Sequence, residues 1–96
     1  MHTIFYVSPM IKEQEFQDAV AQSKQLSKRP SNDELLQLYA LYKQATEGDV
    51  QGERPNGFDF KGIAKYAAWE EQKGKPQDQA KSEYVALVKR LQQTNG

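Results

Sequence analysis

Apolar residues recur at helical spacing along most of the chain. The first helix is predicted over residues 11–26, where Phe16, Ala19 and Val20 fall near one face and polar Ser23 interrupts it. Pro30 is expected to end this helix, because the residue before a proline is disfavoured in the α region. Before it, residues 4–7 are β-branched and aromatic, which favours extended structure, and Ser8-Pro9 is expected to break the chain.

A second helix is predicted between Ser31 and Gly48. Ser31 and Glu34 have the spacing of a capping box, and glycine is a common residue just after a helix. The helix is apolar over much more than one stripe, through Leu35, Leu36, Leu38, Tyr39, Leu41, Tyr42 and Ala45. We therefore expect it to contact the core on one side and something else on another.

The second half of the chain repeats the helical pattern after a long connection. Residues 48–60 are punctuated by glycine and proline and are predicted to be a loop. A third helix is predicted over residues 61–73, with Ile63, Tyr66, Ala67 and Trp69 towards the interior. A fourth is predicted to have Pro76 in its first turn, an apolar stripe from Ala80 to Leu91, and a frayed end at 94–96. The pattern predicts an all-α bundle of four short helices.

Composition excludes several classes of protein. The 96 residues include thirteen Lys and Arg against thirteen Asp and Glu, so the net charge is zero, which argues against a general nucleic-acid or anionic-membrane binder. There is no cysteine, and the one histidine is His2, so thiolate sites and multi-histidine metal sites are not expected. No apolar stretch approaches the ~20 residues of a membrane span. No enzyme motif is present. We expect a cytoplasmic protein that is neither an enzyme nor a holder of a metal or cofactor.

The candidate chemistry lies mainly on the second and third helices. Tyr39, Tyr42 and Lys43 fall on adjacent turns of one helical face, where two phenols beside an ammonium can stack on a flat ring and bond a phosphate. Spacing alone favours the alternative that both tyrosines are core residues and Lys43 is ordinary surface. Lys61 and Lys65 are four residues apart, a mildly unfavourable pair unless an anion bridges them, although two solvated lysines are common.

Tyr84 is most simply a core residue, and Lys24 is most simply a surface residue. Each of these clues is weak alone. Together they supply several tyrosines and four lysines in a neutral chain, which suits a phosphate-bearing ligand with an aromatic ring.

Two segments resemble the acyl-CoA-binding protein family. They are YALYKQATEGD at residues 39–49 and FDFKGIAKYAAW at residues 58–69, with Arg54-Pro55 between them. The resemblance covers about residues 16–91 and places residues 1–11 outside an acyl-CoA-binding domain of residues 12–96. It implies a four-helix up-down-down-up bundle that binds medium- and long-chain acyl-CoA esters, one per monomer. The implied role is an acyl-CoA carrier and pool buffer that hands its ligand to acyl-CoA-using enzymes.

The resemblance also implies which residues bind the ligand. Six fall at positions expected to contact the CoA head group: Lys24, Tyr39, Tyr42, Lys43, Lys65 and Tyr84. Three more are expected to line the site: Leu36, Phe60 and Lys61. Ser23, Ile63 and Tyr66 depart from the common residues of the family, which bears on chain-length preference. The alternative is a helical protein-interaction module that has lost ligand binding, but such a module should have lost part of this polar set.

Overall fold

The computed structural model describes the backbone of residues 9–95 and the side chains of residues 13–94. Within that range the chain forms four helices, α1 (Pro9–Ser23), α2 (Asn32–Glu47), α3 (Phe60–Glu70) and α4 (Gln77–Asn95), and no strand. The all-α prediction is confirmed. The extended stretch predicted at residues 4–7 lies outside the described residues.

Helix α1 differs from its predicted bounds at both ends. It begins at Pro9, where a break was expected, because proline is well tolerated in the first turn of a helix. It ends at Ser23 and not at residue 26. The Ser23 hydroxyl donates to the carbonyl oxygen of Val20, and Lys24 and Gln25 then form tighter turns through i−3 backbone hydrogen bonds. A serine that competes for backbone carbonyls in this way disfavours continuation of the helix.

Helix α2 has the predicted caps. The backbone N–H of Glu34 donates to Ser31 Oγ at 3.1 Å, and the backbone N–H of Ser31 donates to Glu34 Oε1 at 2.8 Å. Gly48 ends the helix with a φ of 83°, a value that glycine adopts without the strain other residues would incur.

The last two helices also depart slightly from the predicted bounds. Helix α3 ends at Glu70, and residues 71–74 continue as hydrogen-bonded turns and not as helix. The carbonyl of Pro76 accepts the first helical hydrogen bond of α4 from Ala80. Helix α4 continues through Asn95, whereas a frayed end was predicted from residue 94.

Helix α4 packs in parallel against α1. Glu13 pairs with Lys81 at 2.6 Å near the start of both helices, and Gln22 bonds Gln92 at 3.3 Å near their ends. The residues buried here and under α2 form one core: Phe16, Ala19, Leu38, Leu41, Ala45, Ala80, Tyr84, Leu87, Val88 and Leu91. Burial of this apolar surface is the main stabilising term for a bundle of this size.

Helix α2 runs antiparallel to α4 and parallel to α3. Gln77, at the start of α4, donates to the carbonyl of Ala45 near the end of α2. On the other side, Tyr39 meets Lys65 of α3, and Lys43, one turn later, meets Trp69. The bundle is therefore up-down-down-up, and α2 contacts helices on two sides, as its wide apolar surface predicted.

The long connection between α2 and α3 is tied down by side chains. Trp69 Nε1 donates to the carbonyl of Gly48 at 2.8 Å, and the Tyr66 hydroxyl donates to the carbonyl of Gly52 at 3.0 Å. Both donors belong to α3, so the loop and the helix that follows it are held together.

Candidate functional site

An aromatic cluster joins α1, α2 and α4. The rings of Phe16 and Tyr42 stack with centroids 5.9 Å apart, and Phe16 meets Tyr84 edge-on at 5.3 Å. Phe16 is fully buried, Tyr84 is buried, and Tyr42 is 40% exposed. Tyr42 thus has one face on the core and one side open to solvent, the position needed to receive a flat ring from outside.

The hydroxyl of Tyr84 is already engaged within the protein. It donates to Ser23 Oγ at 3.1 Å, and burial raises the pKa of Tyr84, partly offset by that hydrogen bond. The prediction that Tyr84 is a core residue is confirmed. Lys24 is exposed. It directly follows Ser23, the residue that Tyr84 bonds, so its backbone is next to the Tyr84 end of the cluster.

Two lysines flank the outer face of α2. The ammonium of Lys65 stands 5.3 Å from the centre of the Tyr39 ring, a distance suited to a cation–π contact. The ammonium of Lys43 lies 4.9 Å from the centre of the Trp69 ring and forms an ion pair with Glu47, one turn further along α2. The pKa of Lys43 is raised, first by the hydrogen bond to Glu47 and also by the nearby Tyr39 and Tyr42.

An apolar groove opens between the first turns of α2 and α3. Its volume is about 340 Å³, and it is lined by Asn32, Leu35, Leu36, Phe60, Lys61, Ala64 and Lys65. Phe60 is 69% exposed and forms an edge contact with Phe58, which is 91% exposed. Lys65 lines this groove and also contacts Tyr39. The groove therefore adjoins the face of α2 that carries Tyr39, Tyr42 and Lys43, here called the tyrosine–lysine face.

A second cleft of about 400 Å³ lies between the same two helices and shares Leu36 and Ala64 with this groove. Its lining also includes the carboxylates of Asp33 and Glu71. Carboxylates repel a phosphate, whereas the first groove carries Lys61 and Lys65. The charges therefore favour the first groove for an anionic amphiphile.

The residues expected to line the site, Leu36, Phe60 and Lys61, all lie in that groove. Of the residues expected to meet the head group, Tyr39 and Lys65 are brought into contact, and Tyr42 joins Tyr84 with ring centroids 6.4 Å apart. Lys24 remains outside these direct contacts.

The sequence reasoning did not assign site contacts to Phe16, Trp69 or Glu47. Helical spacing of four residues could have indicated that Glu47 pairs with Lys43. The contacts of Phe16 and Trp69 connect different helices, so no pattern of neighbouring residues could predict them.

Two further observations concern the described part of the chain. Its helices include none long and apolar enough to cross a membrane. Its side chains include no group of three or more histidine, aspartate or glutamate residues that could hold a metal ion.

Fold and site together define a small up-down-down-up helical bundle with an apolar groove that ends at lysines and tyrosines. The family model described as "Acyl CoA binding protein" matches residues 13–88. The chain belongs to the acyl-CoA-binding protein family.

Three similar proteins illustrate the relationship. The chain is 55% identical over 76 residues to the acyl-CoA-binding protein homolog 1 of Caenorhabditis elegans, covering 79% of this chain and 88% of that one. It is 50% identical over 82 residues to a Drosophila melanogaster homolog, covering 85% and 94%. The crystal structure of Oryza sativa acyl-CoA-binding protein 2 superposes with a TM-score of 0.83 at 37% identity, covering 86% of this chain and 92% of that one.

Proposed function

We propose that this protein binds medium- and long-chain fatty acyl-CoA esters non-covalently and acts as a cytoplasmic acyl-CoA carrier and pool buffer. The observation that best supports this proposal is the apolar groove between α2 and α3, which adjoins a face bearing tyrosines and lysines. The domain comprises residues 12–96, acts as a monomer without a cofactor, and passes its ligand to acyl-CoA-using enzymes. It performs no catalysis of its own.

The polar end of the site suits the CoA head group. CoA carries a 3′-phosphate, a pyrophosphate and an adenine. The ammonium groups of Lys43 and Lys65 flank one face of α2 and can offset phosphate charge locally, although the net charge of the chain is zero. The half-open ring of Tyr42 offers a stacking surface for adenine, and base–aromatic stacking contributes about 1–3 kcal/mol in other systems.

The apolar end suits the acyl chain. Leu36 and Phe60 supply apolar surface, and the stems of Lys61 and Lys65 can cover a chain while their ammonium groups stay in water. Each methylene removed from water is worth about 0.8 kcal/mol, so a long chain adds to the affinity that the head group provides. Palmitate lacks the contacts of the head group. We expect palmitoyl-CoA to bind much more tightly than CoA and palmitate to bind poorly.

Calorimetric titration with palmitoyl-CoA, CoA and palmitate tests this proposal. Tight one-to-one binding of the ester, far above both fragments, is the expected result. Comparable affinity for palmitate and palmitoyl-CoA would contradict the proposal, and so would absence of ester binding by the folded protein. The latter result would favour the helical protein-interaction module.

Two exposed phenylalanines provide a matched pair of variants. Phe60 lines the groove, whereas Phe58 does not. Phe60→Ala should weaken binding of palmitoyl-CoA by about tenfold, the equivalent of losing contact with one or two methylenes, and should leave CoA binding unchanged. Phe58→Ala should have a smaller effect. Equal losses in the two variants would place the acyl chain elsewhere.

A further inference from the structure

The ammonium of Lys43 is already paired within the protein. It bonds the carboxylate of Glu47 one helical turn away, and the two side chains are 22% and 49% exposed. The hydrogen bond to Glu47 is the first cause of the raised pKa of Lys43. A phosphate that approaches this lysine therefore meets a cation whose charge is partly neutralised and a carboxylate next to it.

Helix stability does not account for a carboxylate at this position. Glu47 is the last residue of α2, where the partial negative charge of the helix end disfavours an anion. The order Lys then Glu at i and i+4 is the weaker of the two orientations, and exposed pairs of this kind contribute little to stability. Glu47 therefore adds little to the stability of the helix, and its main effect is on the charge around Lys43.

We propose that Glu47 is an affinity-limiting residue of the head-group site. Its carboxylate competes with the ligand phosphate for Lys43 and repels that phosphate, so the protein holds CoA less tightly than it would with a neutral residue at this position. The inference rests on the proposed function. For a carrier, the consequence is faster release of the ligand, because most differences in affinity among variants of one site lie in the dissociation rate.

Glu47→Gln tests the inference, because it removes the charge and keeps the shape. In calorimetric titrations at about 20 mM salt, we expect CoA and palmitoyl-CoA to bind the variant about two- to fivefold more tightly than wild type, the range that an exposed charge pair supports. The gain should shrink at about 0.5 M salt, because the Debye length then falls to a few ångströms. Glu47→Asp keeps the charge and should stay near wild type.

A second ion pair provides the control. Lys75 and Glu83 are 2.5 Å apart, with side chains 21% and 41% exposed, and Glu83 lines a different pocket, together with Leu41 and Leu87. Glu83→Gln should leave ligand affinity unchanged. A gain of the same size in Glu83→Gln would overturn the inference, because it would reflect net charge alone.

The remaining outcomes are distinguishable. If wild type binds palmitoyl-CoA tightly and Glu47→Gln binds it equally or more weakly, Glu47 does not limit affinity, and the inference fails while the proposed function stands. If neither protein binds the ester, and circular dichroism shows both to be folded, both proposals fail. A gain that persists unchanged at high salt would also overturn the electrostatic argument.

Discussion

Replacing Tyr42 by alanine should weaken both the fold and ligand binding, and the two losses can be measured separately. Tyr42 stacks on buried Phe16 and is also 40% exposed beside the site. The sequence left two interpretations open, a core residue or a ligand contact. In the structure one face of the ring packs on Phe16 and the other side is open to solvent, so core packing and the proposed ligand contact would use opposite faces.

The size of the stability loss follows from the covered part of the ring. Aromatic side chains bury about 200 Å² when fully covered, so about 120 Å² of Tyr42 is covered. At about 25 cal/mol per Å² this area corresponds to about 3 kcal/mol. Because unfolded chains already cover part of their surface, the expected loss in Tyr42→Ala is about 2 kcal/mol. Lost stacking on adenine, at about 1–3 kcal/mol, corresponds to a roughly 5- to 150-fold weaker affinity for CoA.

Urea denaturation followed by circular dichroism measures the first loss, and calorimetric titration with CoA measures the second. Tyr42→Phe is the matched control, because it keeps the ring and should change both quantities little. A Tyr42→Ala protein that is unfolded at 25 °C would show that the ring is mainly a core residue. Unchanged stability would contradict the packing on Phe16, and unchanged CoA affinity would contradict stacking of the ligand.

Three further predictions concern other parts of the site and its support. Lys65→Ala should weaken CoA binding by about tenfold at low salt and less at high salt, whereas exposed Lys89→Ala should not; a loss independent of salt would argue against a phosphate contact. Trp69→Phe removes the hydrogen bond to Gly48 and should lower the free energy of unfolding by about 1–3 kcal/mol in urea titrations; an unchanged midpoint would contradict a stabilising role. The pKa of Asp49 is lowered, first by the backbone N–H of Gly74 and then by the side-chain amide of Gln44. The carboxylate therefore stabilises the fold above the unfolded pKa, which is near 3.9, and this contribution is lost as the pH falls through the lower native pKa. Urea midpoints measured at pH 7, 4 and 3 should therefore fall more gently in Asp49→Asn than in wild type, and identical pH profiles would refute this.

The four helices could be predicted because each has a local cause. The capping box of Ser31 and Glu34 and the positive φ of Gly48 depend on residues within a few positions. The bounds of α1 and α3 were less predictable. Helix α1 ends where the Ser23 hydroxyl bonds both Val20 and Tyr84, and the second of these partners is 61 residues away along the chain.

The candidate site was predictable only in part for the same reason. Helical spacing places Tyr39, Tyr42 and Lys43 on neighbouring turns, and the resemblance supplied their expected roles. Neither could show that Lys65 stands over the Tyr39 ring, because that contact depends on how two helices are aligned. Nor could spacing distinguish a surface lysine from one held over Trp69.

The segment of residues 39–49 combines two physical requirements that a sequence pattern cannot separate. Its outward residues form the tyrosine–lysine face, but Gln44 is buried and donates to Asp49 at 2.9 Å and to the carbonyl of Lys75 at 2.8 Å. Asp49 in turn accepts from the backbone N–H of Gly74 at 2.8 Å. These bonds join the end of α2 to the connection between α3 and α4, so they help to hold α2 and α3 in the alignment that brings Tyr39 to Lys65. A residue in this segment can therefore matter for binding without touching the ligand, because it positions the helices that do.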